Sequence, residues 1–224
     1  MTTLTKEDYR IFEEIEKIRE DVKKQNLEVQ FLDFGAGNPE EIRDLETMSN
    51  GVATIKYTKD LCQIGLKNKW AQLMYSLVKI NKPKNILELG TCCGFSSIYM
   101  SKANSSSLVY TIEGACEIAK IATQNIRKAN CDNIIQMIGK FNDVLIPLLE
   151  EIGTVDFVFI DGHHDKDATI KYFEMIKPFL QKDAIVVFDD ISWSDGMKTS
   201  WEIIIQDKDI KKYENLEKLG ICYL

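Results

Sequence analysis

Apolar positions form two different patterns along the chain. Between residues 6 and 25, three isoleucines and a valine recur every three or four positions among charged residues, which predicts an amphipathic helix. From Ile86 onward, short apolar runs without polar alternation predict strands that are covered on both faces. These runs are ILEL, LVYTI, IIQMI, VDFVFI and AIVVF. Further helices are predicted at residues 67–80, 96–103, 115–130, 143–151, 167–180 and 197–206.

Strands that alternate with helices imply right-handed crossovers and a parallel sheet. We therefore expect an α/β fold, Rossmann-like and doubly wound, with a mostly parallel seven-stranded sheet and helices on both faces. Residues 1–66 are predicted to be an N-terminal helical extension and residues 67–224 the α/β domain. Within the extension, LEVQFLDFGAGNPEE predicts a loop or a short strand that breaks at Gly35, Gly37 and Pro39. The tail KKYENLEKLGICYL predicts one or two edge strands.

Composition narrows the class of protein. The chain is 45% hydrophobic and 28% charged, enough for a folded core, and its net charge of −7 disfavours a nucleic-acid partner. No stretch approaches the roughly 20 apolar residues of a membrane span, and the N-terminus lacks the apolar core of a signal peptide, so we expect a cytoplasmic protein without a membrane partner. The six scattered cysteines contain no CxxC pair, and only two histidines exist, which favours reduced thiols over a zinc site.

The carboxyl ends of the predicted strands carry acids and glycines. They lie at residues 88–90, 113–114, 139–140, 161–164 and 189–190. A single acid is usually a solvated surface charge, but the carboxyl ends of parallel strands meet at one edge of a sheet, where ligands bind. Acids at four of these five strand ends therefore predict a functional crevice.

The turn ILELGTCCGFSS differs from the GxGxxG turn that binds dinucleotides. Cys92 stands at the position of the second glycine, Cys93 is predicted to pack inside, and Glu88 would place a negative charge beside phosphates. A cationic ligand without phosphate, such as S-adenosylmethionine (SAM), fits this turn better, with Gly90 and Gly94 allowing its close approach. Glu113 is placed to accept both ribose hydroxyls, although NAD folds use an acid in the same way.

Five segments in order resemble the class I SAM-dependent methyltransferases. They are LELGTCCGFSS, YTIEGACEIAKIATQNI, IIQMIGKFNDVLIPLL, VDFVFIDGHHDKDATIKYFEMIKPFL and AIVVFDDI. The similarity covers roughly residues 66–191, and the CGFS variant resembles the catechol O-methyltransferase-like branch. The resemblance implies that residues 67–224 are a SAM-dependent methyltransferase domain, with adenine contacts near residues 139–141. The predicted cofactor-binding residues are Glu88, Gly90, Thr91, Cys92, Gly94, Ser96, Glu113, Gly114, Gly139, Lys140, Phe141, Asp161, Gly162 and His163.

The resemblance also implies a divalent cation, Mg²⁺, held by Asp161, Asp189 and Asp190. Three converging carboxylates repel one another unless a cation neutralises them, and Mg²⁺ prefers oxygen ligands. The catechol enzymes commonly carry asparagine at the last position, whereas the tandem Asp-Asp is more like metal-dependent sugar O-methyltransferases, which weakens the case for a catechol acceptor. An alternative stays open, in which Asp190 and Asp161 cap the helices that follow them.

His164 and Asp161 are the predicted catalytic residues. His164 lies three residues after Asp161, where the catechol enzymes carry a catalytic lysine, and an imidazole can accept a proton near pH 7. His164 as a surface group, or Lys166 as the base, remain alternatives, and His163 is expected to pack against the adenosine. Trp193 is predicted to contact the substrate.

These features together predict a SAM-dependent, Mg²⁺-dependent O-methyltransferase acting on a small hydroxylated molecule. Two alternatives remain: a metal-independent SAM methyltransferase acting on nitrogen or carboxylate, and a SAM-binding module without catalysis. The acceptor stays open between sugars, catechols and amino-acid side chains. The N-terminal helix either covers the active site or pairs two protomers into a homodimer.

Overall fold

The computed structural model describes residues 3–38, 40–41 and 43–224. Helix α1 (Lys6–Gln25) has the bounds that its apolar spacing predicts. Its N-terminus is a capping box, because the Thr5 hydroxyl accepts the N–H of Asp8 while the Asp8 carboxylate accepts the N–H of Thr5. Its buried face, which includes Phe12 and Ile15, packs against the chain's own core.

The rest of the N-terminal extension is mixed rather than purely helical. It contains strand β1 (Glu28–Asp33), helix α2 (Leu45–Asn50), strand β2 (Val52–Tyr57) and helix α3 (Thr58–Leu61). The two strands pair antiparallel, with Glu28 opposite Tyr57. The predicted short strand is therefore real, whereas its predicted break at Pro39 lies outside the described residues. The division into two domains at residue 66 stays a prediction.

Helices and strands then alternate through the α/β domain. The strands are β3 (Asn85–Leu89), β4 (Leu108–Glu113), β5 (Ile134–Ile138), β6 (Val155–Ile160), β7 (Leu180–Phe188), β8 (Lys212–Leu216) and β9 (Leu219–Tyr223). The helices are α4 (Asn68–Asn81), α5 (Phe95–Ala103), α6 (Cys116–Lys128), α7 (Phe141–Ile152), α8 (Lys166–Ile176) and α9 (Asp195–Ile204), with a short 3₁₀ helix (Lys177–Phe179).

The seven strands form one sheet in the order β5-β4-β3-β6-β7-β9-β8. Strands β3 to β7 are parallel, and β9 lies antiparallel to both β7 and β8. The predicted mostly parallel seven-stranded sheet is confirmed. The tail supplies two strands, but only β8 lies at the edge, because β9 inserts beside β7. The strand order reverses beside β3, and ligands bind at such a switch point.

Both faces of the sheet are covered, as the continuous apolar runs predict. Ile86 packs in the core beneath α1, α4, α5 and α6, whereas its neighbour Leu87 packs on the other face with α7, α8 and α9. Trp201 is buried in this second core, and Cys93 is buried in the first. No helix within residues 3–38, 40–41 and 43–224 has the length and apolar character needed to cross a membrane.

Candidate active site

The turn after β3 brings its backbone against the end of β6. Gly90 has a φ of +105°, and a Cβ at this position would lie 2.1 Å from the carbonyl oxygen of Asp161. Only glycine fits here, because a side chain is excluded both by the backbone conformation and by this contact. Gly94, with a φ of +83°, begins α5 as its N-cap residue. Cys92 also has a left-handed φ of +46° although it carries a side chain.

Glu88 lies beneath this turn and is fully buried. Its Oε2 accepts hydrogen bonds from the hydroxyls of Ser97 and Thr111, whereas its Oε1 has no hydrogen-bond partner among the described residues. Burial raises the pKa of Glu88 to about 7, and the hydroxyl donors oppose that rise only in part. The predicted contact of Glu88 with the cofactor stays a prediction.

Glu113 ends β4 at the wall of a cavity above the sheet. One carboxylate oxygen accepts the N–H of Cys92 at 2.8 Å, and the other accepts the N–H of Ala115 at 2.9 Å. Burial raises the pKa of Glu113, and these backbone donors oppose the rise. Since each carboxylate oxygen can accept more than one hydrogen bond, Glu113 retains capacity toward the cavity.

Most of the predicted cofactor residues line this one cavity. They are Gly90, Cys92, Glu113, Gly114, Lys140, Phe141, Asp161, Gly162 and His163, joined by His164. Thr91 and Ser96 line a smaller adjoining pocket that shares Gly90, Cys92 and Asp161. Within the described residues, Glu88, Gly94 and Gly139 belong to neither lining.

The N-terminal extension supplies the outer wall of the cavity, but through residues 31–35 and 48–49 and not through helix α1, the part that the sequence offered as a cover. The N–H of Ala36 donates to the carbonyl of His163 at 2.9 Å, and the ammonium of Lys140 donates to the carbonyl of Ser49 at 2.6 Å. Phe34 packs so closely over Gly114 that a Cβ there would lie 2.9 Å from its ring. The extension is therefore part of the site.

Aromatic rings form another side of the cavity. The imidazole of His163 stacks on Tyr172 with a centroid distance of 5.6 Å, and its Nδ1 lies 2.6 Å from the Tyr172 hydroxyl. Phe141 meets the Tyr172 ring edge-on at 5.3 Å. Burial lowers the pKa of His163, so this imidazole stays neutral at pH 7. Phe141 is inclined by 66° to the His163 ring, so the two rings form an aromatic corner in the cavity that Glu113 also lines.

Three carboxylates meet at the ends of β6 and β7. Asp161 follows β6 directly, and Asp189 and Asp190 follow β7. The N–H of Asp190 donates to Asp189 Oδ1 at 2.8 Å, with Asp190 in a left-handed conformation at a φ of +53°. Burial raises the pKa of both Asp161 and Asp189, and repulsion from the neighbouring carboxylates raises them further.

Lys218 enters this cluster from the turn between β8 and β9. Its ammonium lies 3.0 Å from both oxygens of Asp189 and 3.3 Å from Asp190 Oδ1. Burial lowers the pKa of Lys218, but attraction to the carboxylates outweighs burial and leaves the pKa raised. A lone lysine in the sequence LEKLG carries no signal of this position, which depends on β9 inserting beside β7.

His164 lies at the same end of the cavity. Its Nε2 is 3.7 Å from Asp161 Oδ1 and 3.9 Å from Asp190 Oδ2, and the ring of Trp193 lies 5.9 Å away. Both His163 and His164 have left-handed backbones, with φ values of +69° and +47°. Such conformations are uncommon outside glycine and concentrate at functional sites. The ammonium of Lys166 instead lies 3.6 Å from the Asp167 carboxylate.

Comparison with known proteins places this site in a family. A family model for a methyltransferase domain matches residues 87–191. A catechol O-methyltransferase of Niastella koreensis is 31% identical over 150 residues, covering 62% of this chain and 66% of that protein. A probable O-methyltransferase of Mycobacterium tuberculosis is 30% identical over 166 residues, covering 70% of this chain and 67% of that protein.

The chain belongs to the class I SAM-dependent O-methyltransferases, in the catechol O-methyltransferase-like branch. Its fold is that of an O-methyltransferase from Bacillus cereus solved in complex with S-adenosylhomocysteine (SAH), with a TM-score of 0.64 at 23% identity over 74% of this chain and 85% of the other. The chain spans about two thirds of the length of the two curated relatives compared above.

Within this methyltransferase fold, the alternative that Asp161 and Asp190 are helix caps is wrong. Helix α8 is capped by Asp165, whose carboxylate accepts the N–H of Ala168 at 2.9 Å. Helix α9 is capped by Ser194, whose hydroxyl accepts the N–H of Met197. The two aspartates are therefore available for the site.

The acid cluster of this methyltransferase has the oxygen donors that Mg²⁺ prefers, but not their arrangement around a common point. Among the described residues, no three His, Cys, Asp or Glu side chains are placed to hold one metal ion. The ammonium of Lys218 instead lies between Asp189 and Asp190. As arranged, the residues do not fit a divalent cation.

Proposed function

We propose that the protein transfers the methyl group of SAM to a hydroxyl oxygen of a small molecule. One observation carries this proposal: Glu113 and the pair Asp161–His164 line the same cavity at the switch point of the sheet. A cofactor held at Glu113 and an acceptor held beside His164 would thus meet in one cavity, which favours transfer by orientation. Family membership supports the reaction type.

Different residues around the cavity bind different parts of the cofactor. The carboxylate of Glu113 accepts the ribose hydroxyls, and the aromatic corner of Phe141 and His163 is the place where an adenine packs. The fully buried Oε1 of Glu88 has no partner among the described residues, but Glu88 lies outside the lining of the cavity, and its contact with the cofactor stays a prediction. These groups fit SAM, which lacks phosphates but carries a ribose and positively charged groups.

When bound, SAM supplies an electrophilic sulfonium methyl, whose carbon forms the new O–C bond while the S–C electron pair returns to sulfur. His164 accepts the proton that the acceptor hydroxyl releases, and the Asp161 and Asp190 carboxylates, 3.7 and 3.9 Å away, favour the positive charge that this imidazole acquires. Trp193, beside His164, forms the wall against which the acceptor packs.

The predicted Mg²⁺ stays a prediction, and no step of the reaction is assigned to it. Asp161, Asp189 and Asp190 would be its ligands, but Lys218 would first have to leave Asp189 and Asp190. The homodimer also stays a prediction. The apolar face of α1 that was one candidate for pairing protomers is buried in this chain.

Calorimetric titration with SAH tests the cofactor part of the proposal. Glu113→Ala removes the ribose acceptor and should weaken SAH binding by roughly tenfold or more, since a hydrogen bond to a charged group contributes about 1.5–3 kcal/mol. Glu117→Ala, in the first turn of the adjacent helix α6, is the matched control and should bind like wild type. Absence of SAH binding, or equal affinity in the Glu113 variant, would refute the proposal.

A further inference from the structure

We propose that the ammonium of Lys218, which pairs with Asp189 and Asp190, is the cation of the acid cluster, so that this methyltransferase needs no divalent metal there. The inference rests on the proposed function only for its effect on catalysis. The acid cluster is the place where the sequence predicts Mg²⁺, and Lys218 lies beside it at the antiparallel end of the sheet.

The backbone fixes Lys218 at this position. The carbonyl of Lys218 accepts the N–H of Ile191 at 2.9 Å, which ties the β8–β9 turn to the segment that follows Asp190. On the other side of the turn, the carboxylate of Glu217 accepts the ammonium of Lys69 at 2.9 Å. The Lys69–Glu217 pair is exposed and adds little, but the backbone bond to Ile191 starts the lysine stem close to the cluster.

Lys218 is the hydrogen-bonding and ionic partner of Asp189, the least exposed of the three aspartates. The Asp189 side chain is 1% exposed, and each of its two oxygens lies 3.0 Å from the Lys218 ammonium. A carboxylate this deeply buried requires a cationic or hydrogen-bonding partner, and Lys218 supplies it together with the N–H of Asp190. The same ammonium lies 3.3 Å from Asp190, so it bridges two of the three predicted metal ligands.

A divalent cation has different requirements at this place. Mg²⁺ demands near-octahedral oxygen ligands at about 2.0–2.1 Å and keeps several waters. The Lys218 ammonium already contacts Asp189 and Asp190, and in the described part of the chain no three acidic or histidine side chains surround a common point. Lysine is also a compact point charge with three donors, suited to bridging separate carboxylates.

The experiment compares metal binding and methyl transfer in the full chain. Four proteins are needed: wild type, Lys218→Met, Lys218→Arg and the control Lys212→Met, which removes an exposed lysine of the same hairpin. Mn²⁺, which takes similar oxygen ligands, is titrated and followed by electron paramagnetic resonance. Wild type, Lys218→Arg and Lys212→Met should leave Mn²⁺ free, whereas Lys218→Met should bind it, because three carboxylates then lack a cation.

Methyl transfer gives the second readout. Wild-type transfer should survive EDTA, Lys218→Met should lose roughly tenfold or more of its rate, and added Mg²⁺ should restore part of that loss. Stoichiometric Mn²⁺ binding by wild type, or loss of its transfer on chelation, would overturn the inference. So would a Lys218→Met protein that keeps its near-UV circular dichroism yet binds no Mn²⁺.

The Mn²⁺ titrations and the SAH titration test the role of Lys218 and the proposed methyltransferase function separately. If Lys218→Met does not fold, the wild-type and Lys218→Arg titrations still decide whether the cluster takes a metal. Absence of SAH binding in wild type would refute the methyltransferase proposal, whereas the Mn²⁺ titrations concern Lys218 alone.

Discussion

Replacing Gly90 by alanine should damage both the stability and the cofactor site of this protein. The new Cβ would lie 2.1 Å from the carbonyl oxygen of Asp161, where ordinary contact begins near 3.4 Å. The end of β3 must therefore move away from the end of β6, which carries Asp161. Because Gly90 also lines the cavity, that movement reaches the surface on which the cofactor is proposed to bind.

The magnitude follows from two separate costs. Alanine at a φ of +105° adds backbone strain of about 1–3 kcal/mol, and relieving the contact adds about 1–3 kcal/mol more. For a chain of this size, each kcal/mol lowers the melting temperature by roughly 2–4 °C. SAH binding should weaken by at least roughly tenfold, since near-ångström displacements are costly at preorganised sites.

Gly153 provides the matched control for this substitution. It also has a positive φ, of +81°, but a Cβ there would meet no atom within 4 Å in the part of the chain that the structure describes. Urea unfolding followed by circular dichroism should show Gly153→Ala losing only the strain, with SAH affinity unchanged. Equal destabilisation of the two variants, with normal SAH binding by Gly90→Ala, would refute the reasoning.

Two further predictions concern the base and the N-terminal helix. His164→Ala should lower the rate of labelled-methyl transfer by roughly 10²–10⁴-fold while SAH affinity stays within about twofold. Asp8→Asn should lower the free energy of unfolding by roughly 1–3 kcal/mol at pH 7, because the buried carboxylate accepts hydrogen bonds from Tyr75 at 2.7 Å and Lys79 at 2.6 Å. These partners outweigh burial and hold the pKa of Asp8 below its usual range, so its stabilising effect is present above about pH 4 and is lost as the pH falls further.

Each of these two predictions has a control in the same region. Lys166→Ala should transfer methyl groups like wild type, and a loss confined to that variant would identify Lys166 as the base instead. Glu7→Gln, an exposed neighbour of Asp8 in the first turn of α1, should unfold like wild type. Denaturant curves at pH 7 and pH 3 that show the same deficit for Asp8→Asn would contradict the assigned role of its charge.

The parallel half of the sheet was predictable because its signals are local. Strands buried on both faces read as continuous apolar runs, and the acids Glu113, Asp161 and Asp189 stand directly after such runs. The topology then brings these strand ends together without further information. The sequence does not decide whether Asp161 and Asp190 are helix caps, because Asp165 and Ser194 are equally acceptable caps for the same two helices.

The site residues that the sequence does not predict, Phe34 and Lys218, are placed by contacts between segments that are distant in the chain. Phe34 reaches Gly114 only because β1 pairs with β2 and its following loop binds His163. Lys218 reaches Asp189 only because β9 enters the sheet antiparallel beside β7. An isolated aromatic or lysine in a turn has no periodicity that would indicate either position.

A crystal structure of the full chain grown with SAH and Mg²⁺ would show the cofactor and the acid cluster together. We expect SAH in the cavity, with its ribose hydroxyls on Glu113 and its adenine against Phe141 and His163, and the Lys218 ammonium between Asp189 and Asp190. Density for SAH away from Glu113, or none in the cavity at saturating concentration, would contradict the proposed methyltransferase. Density for Mg²⁺ on the three aspartates, with Lys218 turned away, would contradict the role given to Lys218.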